Sequence, residues 1–243
     1  MKILVTVPVK NNLKFTQLLV DDVKRDTDAN LIDFLIIDNG STDGTQKWCK
    51  DNNINMVEFE ASSCAIYEMW NMGLKYAKDN EYEYVGIFNN DIHLPSGWWG
   101  KCLKIFENEN IAGIYPAFTF GDFVGFKEPV NTYRKPVLAP YGEYGFTGFC
   151  QIYRTGVQNL IGYYDEGYDL AWGDVDYARR CLASKLVLVY TNEIQIHHYS
   201  SQTLNVEHRV SQRCKKDTLK YLSKWKIESE DEEYKKNNIG RFI

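Results

Sequence analysis

The sequence has no apolar run approaching the roughly 20 residues a membrane-spanning helix needs, so no integral membrane segment is expected. It has no Cys-x-x-Cys pair. Its six cysteines stand apart at 49, 64, 102, 150, 181 and 214, a spacing that offers no zinc or redox signature and fits reduced, mostly buried thiols in a cytoplasmic protein. Nor is there an excess of positive charge: 28 basic against 33 acidic residues leave a net charge of −5, which argues against wholesale nucleic-acid binding. Neither a Gly-x-x-x-x-Gly-Lys-Ser/Thr loop nor a Gly-x-Gly-x-x-Gly run occurs, which excludes the usual phosphate-loop and dinucleotide signatures. The opening Met1–Pro8 carries one lysine but no long hydrophobic region or small-residue cleavage site, and it reads as a strand rather than a signal peptide.

The 243 residues can bury a sizeable core in one large α/β domain, and 44% hydrophobic with 25% charged residues is the composition of a soluble globular chain. Aromatic residues make up 14%, with 17 Tyr and 6 Trp, which suits sugar recognition and an ordinary core equally.

In the first half, strand-like and helix-like stretches alternate. Lys2–Val7, Leu31–Ile37, Met56–Phe59, Tyr84–Phe88 and Ile111–Tyr115 are short apolar runs. Between them, Leu13–Arg25, the stretch carrying Trp48 and Cys49, the Ile66, Met69, Trp70, Gly73, Leu74, Ala77 series, and a segment from about Ser96 show helical spacing. Such alternation predicts a mostly parallel, doubly wound α/β sheet with helices on both faces.

In open α/β sheets ligands bind beyond the carboxyl ends of the strands. Tyr84–Phe88 stops abruptly on Asn89, Asn90 and Asp91, which are ordinary turn residues and equally suitable oxygen ligands for Mg²⁺ or Mn²⁺. Pro8–Asn11 and Asp38–Ser41 end two neighbouring strands, and three polar clusters at one sheet edge favour the metal reading. A nucleotide there would be held by carboxylate, amide and backbone groups with the help of a cation.

The order Val7-Pro8-Val9, Ile36-Ile37-Asp38-Asn39-Gly40-Ser41-Thr42-Asp43-Gly44-Thr45, Trp70-Asn71-Met72-Gly73 and Phe88-Asn89-Asn90-Asp91 resembles family 2 glycosyltransferases of the GT-A, nucleotide-diphospho-sugar transferase fold. Gly162–Glu166, Trp172–Arg180 and His197-His198 extend the resemblance over roughly residues 1 to 203. The resemblance implies a metal-assisted, inverting hexosyltransferase that moves a sugar from a UDP, GDP or dTDP donor to a carbohydrate or glycan acceptor. On this likeness Val7, Pro8 and Val9 lie along the base and ribose, and Asp38 and Asn39 approach the base. Ser62, Asn89 and Asn90 touch the donor. Asp91 and His198 hold Mn²⁺ or Mg²⁺, and Asp174 is the general base.

Two positions depart from the family pattern: Asn89 stands for the first acid of an Asp-x-Asp motif, and Gly173 for the acid that commonly precedes the base. Asp176 is the alternative base, although its spacing to Arg180 suits a surface ion pair on a helix. Strand alternation from Glu193 to Ile196 turns His197 and His198 to opposite faces, so one of the two can reach a cation; His93 is a further candidate ligand. The aromatic-rich Ala117–Phe149 shows no helical period and reads as loops shaping the acceptor side or packed by their own rings.

A transferase domain is expected over 1–205. A helical extension over 206–243 packs on it through Leu219, Leu222 and Trp225 and ends in a solvated charged tail; contact of Arg209, Arg213, Lys215 and Lys216 with a diphosphate or an anionic acceptor is the less favoured alternative. Two rival functions share the sheet type. A sugar nucleotidyltransferase would want a Gly-rich, Arg-containing loop after the first strand, where Pro8–Asn12 has none; a non-catalytic carbohydrate- or nucleotide-binding domain would bind and never turn over.

Overall fold

Strand β1 (Ile3–Val9) is buried along its whole length, which requires cover on both sheet faces. The computed structural model, which describes residues 2–25, 31–60, 64–121, 123–126, 133–134, 148–199 and 207–228, supplies that cover from helices on either side. Ile3, Val5, Val7 and Val9 point into a core with Leu19, Val20 and Val23 of α1 (Leu13–Arg25) and Trp98, Cys102 and Ile105 of α4 (Trp98–Phe106). Leu4 points the other way, into a core built on Tyr67, Trp70 and Leu74 of α3 (Ile66–Asp79). The period of two in a strand and the three-to-four spacing in a helix therefore meet on both faces.

Around β1 the sheet is parallel. β2 (Ile32–Asp38) and β4 (Tyr84–Phe88) flank it, and β3 (Asn55–Glu58) lies outside β2 beyond the short helix α2 (Thr45–Asp51). The expected alternation holds through this half. Beyond it the order is mixed. β6 (Ile111–Thr119) and β9 (Val187–His198) are parallel to each other, but β8 (Cys150–Arg154) runs antiparallel to both β4 and β6. β5 (Ile92–His93) and β7 (Tyr133–Arg134) run antiparallel to β9. Among the described residues the nine-stranded sheet has the order β3-β2-β1-β4-β8-β6-β9-β5, with β7 on β9. An antiparallel return needs no helical crossover, so periodicity gave no sign of it.

Two features of the sequence acquire a structural reason here. The Asp38–Thr45 turn is stitched to the turn after β1: Asn11 N–H donates to Ser41 Oγ, Thr42 N–H to Asn11 Oδ1, and Leu13 N–H to Asp43 Oδ2. Asp43 Oδ1 also accepts from Thr45 N–H and its hydroxyl at the start of α2. Past a shift of register in β9 opposite Pro116/Ala117, its last residues stay paired with β6 on one edge and take β5 on the other, Ile92 against His198 and His93 against His197.

α5 (Val157–Ile161) and α6 (Gly173–Ala183) precede β9, and α7 (Glu207–Trp225) packs on the α3 side of the sheet. Its inward face differs from the expected one. Tyr221 is fully buried and Leu222 and Trp225 are partly so, whereas Leu219 is 62% exposed; a buried Asp217 takes the inward position instead. The tail beyond 228 and most of 117–149 lie outside the described residues.

α3 comes close to the sheet at Gly73, where an added Cβ would stand 2.4 Å from Thr6 Oγ1 on the wholly buried β1. A β-branched side chain on a central strand cannot swing aside. Gly73→Ala is therefore expected to cost about 1–3 kcal/mol, read as a lower midpoint in urea or thermal unfolding.

Candidate active site

The carboxyl ends of β1, β2 and β4 open on a cavity of about 640 Å³. Pro8 and Val9 line it from β1, Asn39 from the end of β2, and Asn89, Asn90 and Asp91 from the turn after β4. Asp174 and His198 reach the same cavity from the second half of the chain.

Val7 and Asp38 are fully buried and stand behind this wall. Asp38 Oδ2 accepts from Ser41 N–H and Gln46 Nε2, while its Oδ1 has no partner among the described residues. Asn39 exchanges hydrogen bonds with the Cys64 backbone and so pins the start of the segment before α3. Asn90 donates to Asn11 O and Thr16 Oγ1, holding the end of β4 against α1. Ser62 lies outside the described residues.

Asp91 and His198 are brought together by the β5–β9 pairing. Tyr199 N–H donates to Asp91 O, and His198 Nε2 stands 3.2 Å from Asp91 Oδ1. The imidazole is stacked on Phe149, with ring centroids 4.3 Å apart. His197 faces away, with Nδ1 3.0 Å from Thr119 Oγ1 and its ring on Phe123. His93 is held by the fully buried Asp22. Among the described residues no group of three His, Cys, Asp or Glu side chains forms a closed metal cage. What the cavity offers is one carboxylate and one imidazole side by side, a donor set that suits a divalent ion taking its other ligands from a diphosphate and water.

Asp174 sits in the first turn of α6, half-buried at the cavity wall. Burial raises its pKa to about 6, although the N–H groups of Val175, Asp174 itself and Gly148 bond the carboxylate and pull the other way. Gly148 is needed for this contact, because a Cβ there would meet the Trp70 ring at 2.9 Å and Asp174 Oδ2 at 3.0 Å. Gly173 has an equally specific reason: a Cβ would stand 2.4 Å from the Tyr67 ring, so an acid before Asp174 has no room. Gly173 N–H donates to Tyr67 Oη. Trp172, at φ 68°, holds a left-handed backbone that costs a bulky residue about 1–3 kcal/mol and persists only where its surroundings enforce it.

Asp176 occupies a different environment. It is fully buried, accepts from Arg180 Nε, Lys224 Nζ and Trp225 Nε1, and ties α6 to α7. The expected surface ion pair with Arg180 is thus an interior one, and its carboxylate is absent from the cavity wall.

Several wall residues escaped the reading of the sequence. Tyr67 shares a helix face with Trp70 and Leu74 at offsets of three and seven, a signal that was present in the pattern. Asp169 also lines the cavity, and no spacing announces it; Lys10 of the Pro8–Asn11 turn and Arg213, one of the four basic residues named in the helical extension, line it too.

The model of the family described as glycosyl transferase family 2 matches residues 4–160. The chain belongs to this family. Asp174 and His198 lie beyond the matched stretch. Among solved structures, Staphylococcus aureus TarS 1–349 in complex with UDP-GlcNAc superposes with a TM-score of 0.66 at 18% identity, covering 91% of this chain and 67% of that one. A mannosyltransferase, PcManGT from Pyrobaculum calidifontis, in complex with GDP-Man and Mn²⁺, gives 0.64 at 14% identity, covering 92% and 63%. GalNAc-T7 with UDP, GalNAc and Mn²⁺ gives 0.64 at 11% identity, covering 84% and 44%. At these identities the likeness shows the fold, which is GT-A. The chain spans 66% of the TarS 1–349 structure and 40% of the longer TarS chain. Among curated protein sequences nothing matches it.

The raised pKa of Asp174 carries a stability consequence. An aspartate that binds its proton more tightly when folded costs stability as pH rises from its unfolded value of 3.8 through about 6. Asp174→Asn removes that cost. The variant is expected to match the parent below about pH 4 and to exceed it by about 1–2 kcal/mol at pH 8, after discounting for the edge the carboxylate shows to the cavity. Thermal unfolding across pH checks this.

Proposed function

We propose that the protein transfers a sugar from a nucleoside-diphosphate sugar to a hydroxyl of a carbohydrate or glycan acceptor, with inversion at the anomeric carbon. The observation that carries this reading is that two unlike carboxylates line one cavity, Asp91 beside His198 and Asp174 in the first turn of α6. Family membership and the UDP-GlcNAc and GDP-Man complexes of the structural neighbours favour the same donor class.

In this reading Pro8, Val9 and Asn39 flank the nucleoside, with Val7 and Asp38 supporting them from behind, and Asn89 and Asn90 border the diphosphate; Ser62 is assigned to the donor by the family resemblance alone. Asp91 and His198 hold Mn²⁺ or Mg²⁺, which supplies positive charge at the departing diphosphate. Asp174 accepts the proton of the acceptor hydroxyl as that oxygen attacks the anomeric carbon. A carboxylate whose pKa lies near 6 is ionised at neutral pH yet basic enough to take the proton in the transition state. The transferase unit is assigned to 1–205 with 206–243 packed on it. Among the described residues no helix is long and apolar enough to cross a membrane, and a cytoplasmic setting is proposed.

UDP, GDP and dTDP sugars titrated with and without Mn²⁺, followed for slow donor hydrolysis, test the assignment. Turnover by the parent is expected to fall as pH drops through about 6, where Asp174 gains its proton. Asp174→Asn is expected to bind donor with little change while turnover falls about 10²–10⁴-fold. Donor binding without any turnover by the parent would leave a binding domain, and full activity in Asp174→Asn would place the base elsewhere.

A further inference from the structure

The segment that delivers Asp174 is held by a helix outside the stretch the family model matches. Asp217 on α7 is fully buried, and its two oxygens accept from three successive backbone N–H groups: Asp169 at 3.0 Å, Leu170 at 2.7 Å and Ala171 at 2.9 Å. Consecutive N–H groups turned to one point form a concave anion site, filled here by a carboxylate of the same chain 46–48 residues away. The grip continues along the next residues. The left-handed Trp172 donates from Nε1 to Thr218 Oγ1 at 2.9 Å and stacks on Tyr221 with centroids 4.3 Å apart. One turn before Asp217, Arg213 closes a bidentate pair on the Asp169 carboxylate at 2.6 and 2.7 Å.

We propose that Asp217 is a positioning residue for the transfer reaction: by binding the 169–171 backbone it fixes the strained turn at Trp172 and so sets where Asp174 enters the cavity. The inference rests on the reading of Asp174 as the general base. Four of the five N–H groups from 169 to 173 are engaged by side chains from other elements, Asp217 on three and Tyr67 on one. An aligned base loses most of its advantage when displaced by about 1 Å, a misplacement that can cost on the order of 100-fold in rate.

Asp217→Asn retains the side-chain shape but turns an NH₂ toward backbone donors, and Thr218→Val removes the acceptor of the Trp172 indole. Asp165→Asn is the control, because Asp165 also anchors α7, through Lys220 at 2.7 Å and Lys224 at 3.0 Å, without touching the 169–173 backbone. Each variant is compared with the parent by thermal unfolding, by amide hydrogen exchange over 165–175, and by hydrolysis of UDP-N-acetylglucosamine or GDP-mannose with Mn²⁺, whichever the parent turns over. The expected result for Asp217→Asn is faster exchange confined to 169–173, kcat lower by about 10–100-fold, donor KM within two-fold, and an acidic limb displaced from about pH 6. Thr218→Val is expected to move the same quantities in the same direction by less, and it carries the test should Asp217→Asn not fold. Asp165→Asn is expected to keep kcat within two-fold.

An unchanged kcat in folded Asp217→Asn, or an equal loss in Asp165→Asn, overturns the proposal, the second because any loosening of α7 would then suffice. If the parent turns over none of the UDP, GDP and dTDP sugars, the functional reading fails instead. The exchange measurement then still decides whether Asp217 holds the segment.

Discussion

Parallel pairing of β1 with β2 and β4 is the constraint from which the rest of the molecule follows. Three neighbouring strands that run the same way must end at the same edge, and the register that sets Val9 against Asp38 and Thr6 against Ile87 leaves Pro8–Val9, Asn39 and Asn89–Asp91 side by side. Covering both faces of such strands takes helices on each side, and α1, α3 and α4 meet that need with apolar stripes. The cavity is the unroofed end of this arrangement. Its floor is polar because strand ends carry backbone and turn groups that a core cannot accept.

Much of this half was legible from spacing alone. β4 appears at the residues its apolar run marks, and α1 and α3 follow their three-and-four pattern. The second half was less legible for a physical reason: β8 returns antiparallel and β9 bends through a register shift, and neither event leaves a periodic trace. The side chains of the site divided along the same line. Asp91, Asp174 and His198 could be named because the resemblance attaches them to motifs. Asp169, by contrast, had no such signal, and Arg213 was one of four basic residues that nothing in the pattern told apart; the two meet at the cavity across 44 residues, through the docking of α7. Asp176 illustrates the opposite error: an i,i+4 spacing to Arg180 suggested a solvated pair, and only the packing of α7 over it reveals an interior anchor.

The two departures from the family pattern look different once the packing is known. Gly173 makes room for the Tyr67 ring, whose hydroxyl in turn receives the Gly173 N–H, so a charge has been exchanged for a close contact that fixes the start of α6. Asn89 gives its own N–H to Phe149 O, and Phe149 stacks on His198. The position nearest the missing acid thereby helps support the imidazole that stands beside Asp91.

The pairing of β5 with the far end of β9 also governs when the molecule becomes competent during its own synthesis. Asp91 and His198 are separated by 107 positions, and Gly173 and Tyr67 by 106, so each half of the cleft waits for a partner made much later. Contacts of such long sequence separation form slowly, and a chain emerging amino-terminus first meets them last. A nascent chain that has completed only its first four strands displays Asp91 without the imidazole that stands beside it in the finished fold. The cavity wall is whole only once β9 and α7, which bring His198 and Arg213 to it, have emerged.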